Sequence, residues 1–511
     1  MSAMGFVRIR SSINFSFLAA IAGASGITGA GIFGLGMLAG CKVRQSVPSS
    51  HVRAANAPRP DNATLASFGR YCSGCHAAYG GGGDAAWRAI SSDAAEIASR
   101  LDWDTAAKDH MMPPPDSDQN ADLARAPGDR EKMRAAVNAA RGGGIATDLP
   151  LDRIQLPAGF KISVWAVVPG ARSMTMGDDG TVYVGSGGLG GRHKKVYAVQ
   201  DKDRNGTGES VTIIRDFEKT DSGDDLAVPN GVAFRNGSLY VGLVNRILRF
   251  DRIASTFAQN PGPVIEGVRF PDEGYHGWKF IGFGPDGRLY IPVGANGNMT
   301  SDPDEYALIY RLSEDLTRKE VFAKGVRNSV GFDWHPETGE MWFTDNGRDN
   351  LKIGNQGSDD IPPDELNRAP RAGMNFGHPF CHGGDIPEPD AQYARYGTCS
   401  DATPPVQKLG PHVAALGMRF YTGGNFPQEF RNQVFIAEHG SWNRSKRIGY
   451  RVSLVRLDGN QAVSYEDFAS GWLSAEGDRW GRPVDVQVAP DGALLVSDDM
   501  AGVIYRITYE P

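Results

Sequence analysis

The sequence predicts a multidomain chain: a small all-α domain followed by an all-β body built as a six-bladed β-propeller. Three observations carry this expectation. The length, 511 residues, exceeds that of one ordinary domain. Helical patterning is confined to residues 61–141. Beyond residue 151, a turn followed by a short strand recurs six times. The 41% hydrophobic and 22% charged content suits a folded, soluble body, and the net charge of −7 leaves no basic footprint for nucleic acid.

The N-terminus stands apart from both domains. Arg8 and Arg10 precede 30 uncharged residues, Ser11 to Gly40, that end in "LAGC". A basic start, an apolar run and small residues before a cut form an export signal. The final Cys41 resembles the lipidated cysteine of a bacterial lipoprotein signal. An uncleaved helical anchor is the competing reading, since such a run is long enough to span a bilayer. Either way residues 1–40 place the rest of the chain outside the cytoplasm, in the periplasm and held at a membrane. Residues 41–60, polar with scattered prolines, read as a tether. Five cysteines are present. In an oxidising compartment Cys381 and Cys399, left after Cys41 and the pair below, are expected to close a loop as a disulfide.

Residues 61–146 form the all-α domain. "ATLASFGRYCSGCH" spaces apolar groups at helical intervals, and "DREKMRAAVNAARGGG" begins with acids, ends in Arg and stops at glycines. Between them lies Cys72-x-x-Cys75-His76, the attachment signature of c-type haem. The thiols of Cys72 and Cys75 would add to the two vinyl groups, and His76 would face the iron. Zinc would need two further ligands at comparable spacing, and no second cysteine pair follows. A thioredoxin-type pair would sit in a βαβ pattern, which is absent. "DHMMPPP" is expected to supply the sixth ligand, because a thioether opposite histidine raises the haem potential. It resembles the Met-Pro-Pro stretch of class I cytochromes c, a match that implies Met112, with Met111 and His110 as alternatives. Met133, mid-helix, reads as core. The domain is therefore expected to be a cytochrome c.

Residues 151–511 form the propeller. The six units are "GDDGTVYVGS" from Gly177, "FRNGSLYVGL" from Phe234, "GPDGRLYIPVG" from Gly284, "HPETGEMWFTDNG" from His335, "FRNQVFIAEHG" from Phe430 and "APDGALLVSDD" from Ala489. The first four starts lie about 50 to 57 residues apart, the spacing of one blade each, and a wider gap before the fifth holds Cys381 and Cys399. The strand "FKISVWAVV" from Phe160 is expected to complete the last blade beside "GVIYRITY", removing an open sheet edge.

From about Leu156 to Ile507 the body resembles the sorbosone/glucose dehydrogenase family of quinoprotein propellers. The resemblance rests on "ARSMTMGDDGTVYVGS", "PNGVAFRNGSLYV", "YHGWKFIGFGPDGRLYIPVG", "GVRNSVGFDWHPETGEMWFTDNGRD", "DELNRAPRAGMNFGHPFCHGGD", "AEHGSWNRSKRIGYRV" and "GRPVDV". It implies pyrroloquinoline quinone (PQQ) and calcium as cofactors. It places the catalytic base at His276, a role that neutral imidazole suits. Arg327 and Asn328 match the family's Arg-Asn pair beside the quinone, where a guanidinium stabilises developing charge. Arg172, His439, Asn443, Arg444 and Arg482 are candidates for holding the anionic quinone, since PQQ carries carboxylates and arginine forks bind them. "TDNGRDN" lies at a strand end, and by the resemblance the backbone carbonyls of Gly347 and Arg348 would bind calcium, a hard cation that takes oxygen ligands. One departure stands out. Tyr275 precedes the base where glucose-oxidising relatives carry an acid, which puts glucose itself in doubt.

The expected function is oxidation of a sugar or sugar aldehyde by PQQ and calcium. Electrons would pass to the haem c and on to a soluble cytochrome or the respiratory chain. A calcium-dependent lactonase or esterase, and a non-catalytic binding propeller, are the alternatives on the same scaffold.

Overall fold

Each repeated unit folds as the inner hairpin of one blade, and its turn chemistry explains why. In the turns at Asp179, Asp286 and Asp491 the carboxylate accepts the backbone N–H two residues on, from Thr181, Arg288 and Ala493 at 3.0, 3.1 and 3.2 Å. The glycine between takes positive φ, +83° at Gly180 and +78° at Gly287, where a Cβ is disfavoured. In the second blade Asn236 and Gly237 both have positive φ, as a tight hairpin requires.

The computed structural model describes residues 149–511, apart from 188–192, 209, 222 and 260. The export segment with Cys41, the tether and the haem residues Cys72, Cys75, His76 and Met112 lie outside the described residues.

The described chain is a six-bladed all-β propeller with few helices. Blade one runs from Ala171–Met176 to Ser210–Asp216 and blade two from Gly231–Arg235 to Ile265–Arg269. Blade three runs from Gly282–Phe283 to Lys319–Lys324, and blade four from Phe332–Trp334 to Gln407–Lys408. Blade five runs from Ala415–Phe420 to Gln461–Ala469. Blade six takes three strands from Pro483–Val488 to Val503–Tyr509, and its outermost strand is Phe160–Val167 from the other end of the domain. That strand pairs antiparallel with the last one, Phe160 opposite Tyr509 and Val167 opposite Val503. Main-chain pairing between the two ends of the domain therefore closes the ring.

In five of the six blades the second strand is buried on both faces, because neighbouring blades cover it. Val182–Ser186, Leu289–Val293, Met341–Asp345, Val434–Glu438 and Leu494–Asp498 are buried at every position. These strands read as nearly continuous apolar runs rather than a clean alternation. Innermost strands meet across blades at close range. A Cβ at Gly331 would lie 2.2 Å from the Leu416 carbonyl of the next blade, so only glycine fits. Regularity breaks at one place. Met374–Asn375 adds a fifth, parallel strand to blade three, and the chain wanders from Ala369 to Gln407 before completing blade four. Cys381 and Cys399 are joined by a disulfide within this excursion, their Cα atoms 5.1 Å apart.

The closing strand is anchored by Phe160, whose ring meets Phe426, Phe430, Phe468 and Tyr509 edge-on at 4.8 to 5.2 Å between centroids. Phe160→Ala is expected to cost about 3 kcal/mol, the scale of removing a packed aromatic ring. Urea unfolding followed by tryptophan fluorescence checks this as a lower midpoint with an unchanged slope.

Candidate active site

Innermost strands begin, and second strands end, on one face of the ring, where a cleft of about 530 Å³ opens. Its side chains therefore come from segments far apart in sequence. Arg172 sits at the start of blade one. His276 and Trp278 lead into blade three, Arg327 and Asn328 into blade four, and Arg482 into blade six. Gly347 and His439 follow the second strands of blades four and five.

One end of the cleft gathers arginine side chains. Arg172 Nη1, Arg482 Nη2 and His439 Nε2 all converge on the buried carboxylate of Asp499, at 2.6, 2.9 and 3.0 Å. Arg172 also donates to Asn230 Oδ1 and lies 4.6 Å from the centre of the Trp278 ring. Burial opposes ionisation of Asp499, but His439 and the two guanidiniums outweigh it and hold the carboxyl well below its usual range. Burial, with Arg482 beside it, pushes His439 down to about 4. At neutral pH this end thus holds two guanidinium charges against the carboxylates of Asp499 and its neighbour Asp498, which burial pushes up only to about 6.

The other end carries His276 and Arg327. Burial comes first and the Arg327 charge second in pushing His276 well below its usual value, so the ring is neutral at pH 7. His276 Nδ1 lies 3.0 Å from the Ala295 carbonyl, and that bond makes Nδ1 the donor and leaves Nε2 as the basic nitrogen. Gly294 permits this seat, for a Cβ there would lie 2.6 Å from the His276 Cβ. Arg327 is fully engaged: Nε donates to Asn298 O at 2.9 Å, Nη1 to Asn346 O at 3.1 Å, and Nη2 to Asn298 Oδ1 and Asp349 at 3.0 and 3.3 Å. Asp345 accepts the backbone N–H groups of Arg327 and Asn328 at 2.8 and 2.6 Å. Asp498 does the same for Arg482 at 2.8 Å.

The geometry gathers Arg172, His276, Arg327, Asn328, Gly347 and His439 around one cleft, with the Arg482 guanidinium joined to them through Asp499. Asn443 and Arg444 part company. Asn443 donates to Asp349 Oδ1 at 2.8 Å, whereas Arg444 turns to the carbonyls of Ser358, Asp359 and Pro411 and ties loops together. The Arg348 side chain also points away, to Glu388. Tyr275, 46% exposed, and Trp442, 73% exposed, stand at the rim.

Comparison with known proteins agrees with this architecture. The TrAA12-like family profile matches residues 310–510. An uncharacterised protein of Borreliella burgdorferi is 30% identical over 387 residues, 72% of this chain and 93% of that protein. The chain therefore belongs to one family with that protein, and it has the fold of PQQ-dependent sugar dehydrogenase-like propellers. Two solved structures share its fold. The holo PQQ domain of pyranose dehydrogenase from Coprinopsis cinerea is 19% identical with a TM-score of 0.57, covering 70% of this chain and 97% of that one. A calcium structure of the Trichoderma reesei family AA12 enzyme gives 19% and 0.57, over 71% and 99%. A PQQ-dependent pyranose dehydrogenase of Coprinopsis cinerea is 28% identical over 137 residues, 23% of this chain and 18% of that protein.

One orphaned donor fits an anionic quinone: Arg482 Nε, a charged donor, is buried without a hydrogen-bond partner among the described residues, whereas the equally unpartnered Asn346 Oδ1 and Asn443 Oδ1 are acceptors and suit a donor or a cation. For calcium, no described group donates to the carbonyl oxygens of Gly347 or Arg348, which leaves both open to a hard cation. Among the described residues no cluster of three His, Cys, Asp or Glu side chains is arranged for a metal. Sequence reasoning missed Asp499, Asp349 and Trp278. A signal existed: the second strands of blades four, five and six all end in an acid, Asp345, Glu438 and Asp498.

Asp499→Asn leaves Arg172 and Arg482 with a diminished partner in a buried site. It is expected to cost about 3 to 5 kcal/mol, the scale of breaking a buried ion pair. Because the Asp499 carboxyl is held below its ordinary value, its contribution is present above the usual carboxylate range and is lost as pH falls into strong acid. Unfolding curves at neutral and acid pH check both: the gap between wild type and variant should narrow in acid.

Proposed function

We propose that the chain is an exported dehydrogenase that oxidises a sugar or sugar aldehyde with PQQ and calcium. In this reading electrons pass to a haem c bound by Cys72, Cys75, His76 and Met112, and then to a soluble cytochrome or the respiratory chain. Lipidated Cys41 or an N-terminal helix holds it at the membrane on the periplasmic side. One observation carries the reading: a neutral histidine with its Nδ1 committed shares a cleft with a guanidinium held on Asp499.

His276 Nε2 takes the substrate hydroxyl proton, as a positioned imidazole does in general base catalysis. Burial, aided by the Arg327 charge, keeps the resting ring unprotonated, and the bonds of Arg327 to Asn298, Asn346 and Asp349 hold that charge in place. Arg172 and Arg482 supply guanidinium forks for the carboxylates of the quinone, and Gly347 and Arg348 supply carbonyls for calcium. Bound PQQ supplies the two-electron acceptor for the hydrogen leaving the substrate carbon. Trp442 and Tyr275 offer aromatic faces at the rim, a surface suited to the C–H face of a sugar ring.

The test is a panel of sugars and sugar aldehydes added to the full chain matured with haem, PQQ and calcium. Substrate-dependent reduction of the haem absorbance is expected. Its absence with every substrate, together with ester or lactone hydrolysis, would favour a hydrolase. His276→Gln is expected to lower kcat by about 10²–10⁴-fold, the range for a general base, while leaving PQQ binding intact. Stopped-flow turnover beside equilibrium binding separates the two effects. Since His276 is held below its ordinary value, the base form persists to lower pH. The acid limb of kcat/KM should fall below the usual imidazole range, with activity lost as pH drops through it.

A further inference from the structure

The excursion between the third and fourth strands of blade four breaks the blade pattern, and it reaches the turn that follows the second strand of that blade. We propose that Glu388 is a positioning residue that locks the Gly347–Arg348 turn to the disulfide-closed loop and so presets its carbonyls for a cation. This rests on the reading that the turn binds calcium.

The Glu388 side chain is wholly buried. Its Oε2 accepts from the Arg348 guanidinium and from His382 Nε2, the latter at 2.9 Å, and its Oε1 accepts the Asp390 N–H at 2.9 Å. Its own backbone N–H donates to the Phe380 carbonyl at 3.0 Å. His382 and its neighbour Cys381 pair with Ile386 and Pro387 in a two-stranded ribbon, and Cys381 is bonded to Cys399. Glu388 is therefore fixed by the ribbon, and the disulfide ties the ribbon to the far end of the loop.

The turn is held at its two flanks by the propeller body. Gly347 N donates to Asp364 Oδ1 at 2.9 Å, and Asp349 N to Asn298 Oδ1 at 2.7 Å. Between these anchors, the Arg348 side chain goes to Glu388, with a further long contact from Nε to the Asp349 carbonyl at 3.4 Å. Burying a carboxylate is costly unless every lone pair is used, and here three donors use it. The cost is justified if the pair fixes Arg348, because fixing the side chain also fixes the peptide that carries the Gly347 carbonyl. Groups that orient a ligand from outside the coordination sphere commonly control affinity in this way.

The experiment compares the full chain, free of PQQ and calcium, with Glu388→Gln. Amide hydrogen exchange at Gly347–Asp349 is expected to quicken about tenfold or more in the variant, as local opening becomes easier. Calorimetric titration with calcium chloride is expected to show affinity lower by about ten- to a hundredfold. Arg348→Met should reproduce both changes, and adding it to Glu388→Gln should bring no further loss. Should Glu388→Gln fail to fold, Arg348→Met alone carries the comparison, since it removes the same contact and leaves the carboxylate with His382 and Asp390. Unchanged exchange at the turn overturns the proposal, as does unchanged calcium affinity in a wild type that binds calcium. A wild type that takes up no calcium would defeat the calcium reading of the turn, and the exchange comparison would still decide the coupling.

Discussion

The arrangement depends first on one buried carboxylate. Asp499 stands beyond the second strand of blade six and takes hydrogen bonds from blade one, blade five and the entry to blade six. Those are the blades around the seam where the two ends of the domain meet, Phe160–Val167 against Val503–Tyr509. One ion cluster thus both reinforces the closure and holds the Arg172 guanidinium at the cleft wall, with that of Arg482 behind it on Asp499. Asp498 adds a second carboxylate beside them, so the pull on an anionic ligand would come from directed guanidinium forks rather than from surplus charge.

Burial first, and then a neighbouring guanidinium, Arg327 for His276 and Arg482 for His439, disfavours a positive charge on either ring, so both sit below the ordinary imidazole value. Their partners then assign different tasks. His439 spends its Nε2 on Asp499, whereas His276 spends its Nδ1 on a backbone carbonyl and keeps Nε2 in reserve. Position follows from backbone devices repeated around the ring. Asp345 and Asp498 fix the entry segments at Arg327 and Arg482 by accepting their N–H groups.

Much of the ring was legible in the sequence because its causes are local. Asp-Gly and Asn-Gly turns dictate positive φ, and each is followed by an apolar strand within a few residues. Pairing of Phe160 with the C-terminal strand could be inferred, since an open edge would otherwise remain. Several site residues were reachable by their resemblance to a family. Asp499 was not, because its partner Arg172 is 327 positions away and an acid after a strand looks like any turn residue. The fifth strand of blade three, Met374–Asn375, is two residues long and parallel, so no periodicity announces it. Asn443 and Arg444 are adjacent in sequence, yet their side chains serve different loops, a division set by neighbours that a linear motif does not contain.

The central claim is that the Asp499 cluster is the binding end for an anionic quinone. Calorimetric titration of PQQ into the full chain, in the presence of calcium, tests it most directly. The account predicts saturable one-to-one binding in the wild type, weakened by about two orders of magnitude in Arg172→Met, the scale of removing a charge-assisted fork. No saturable uptake, or uptake indifferent to the loss of that guanidinium in a folded variant, would contradict it.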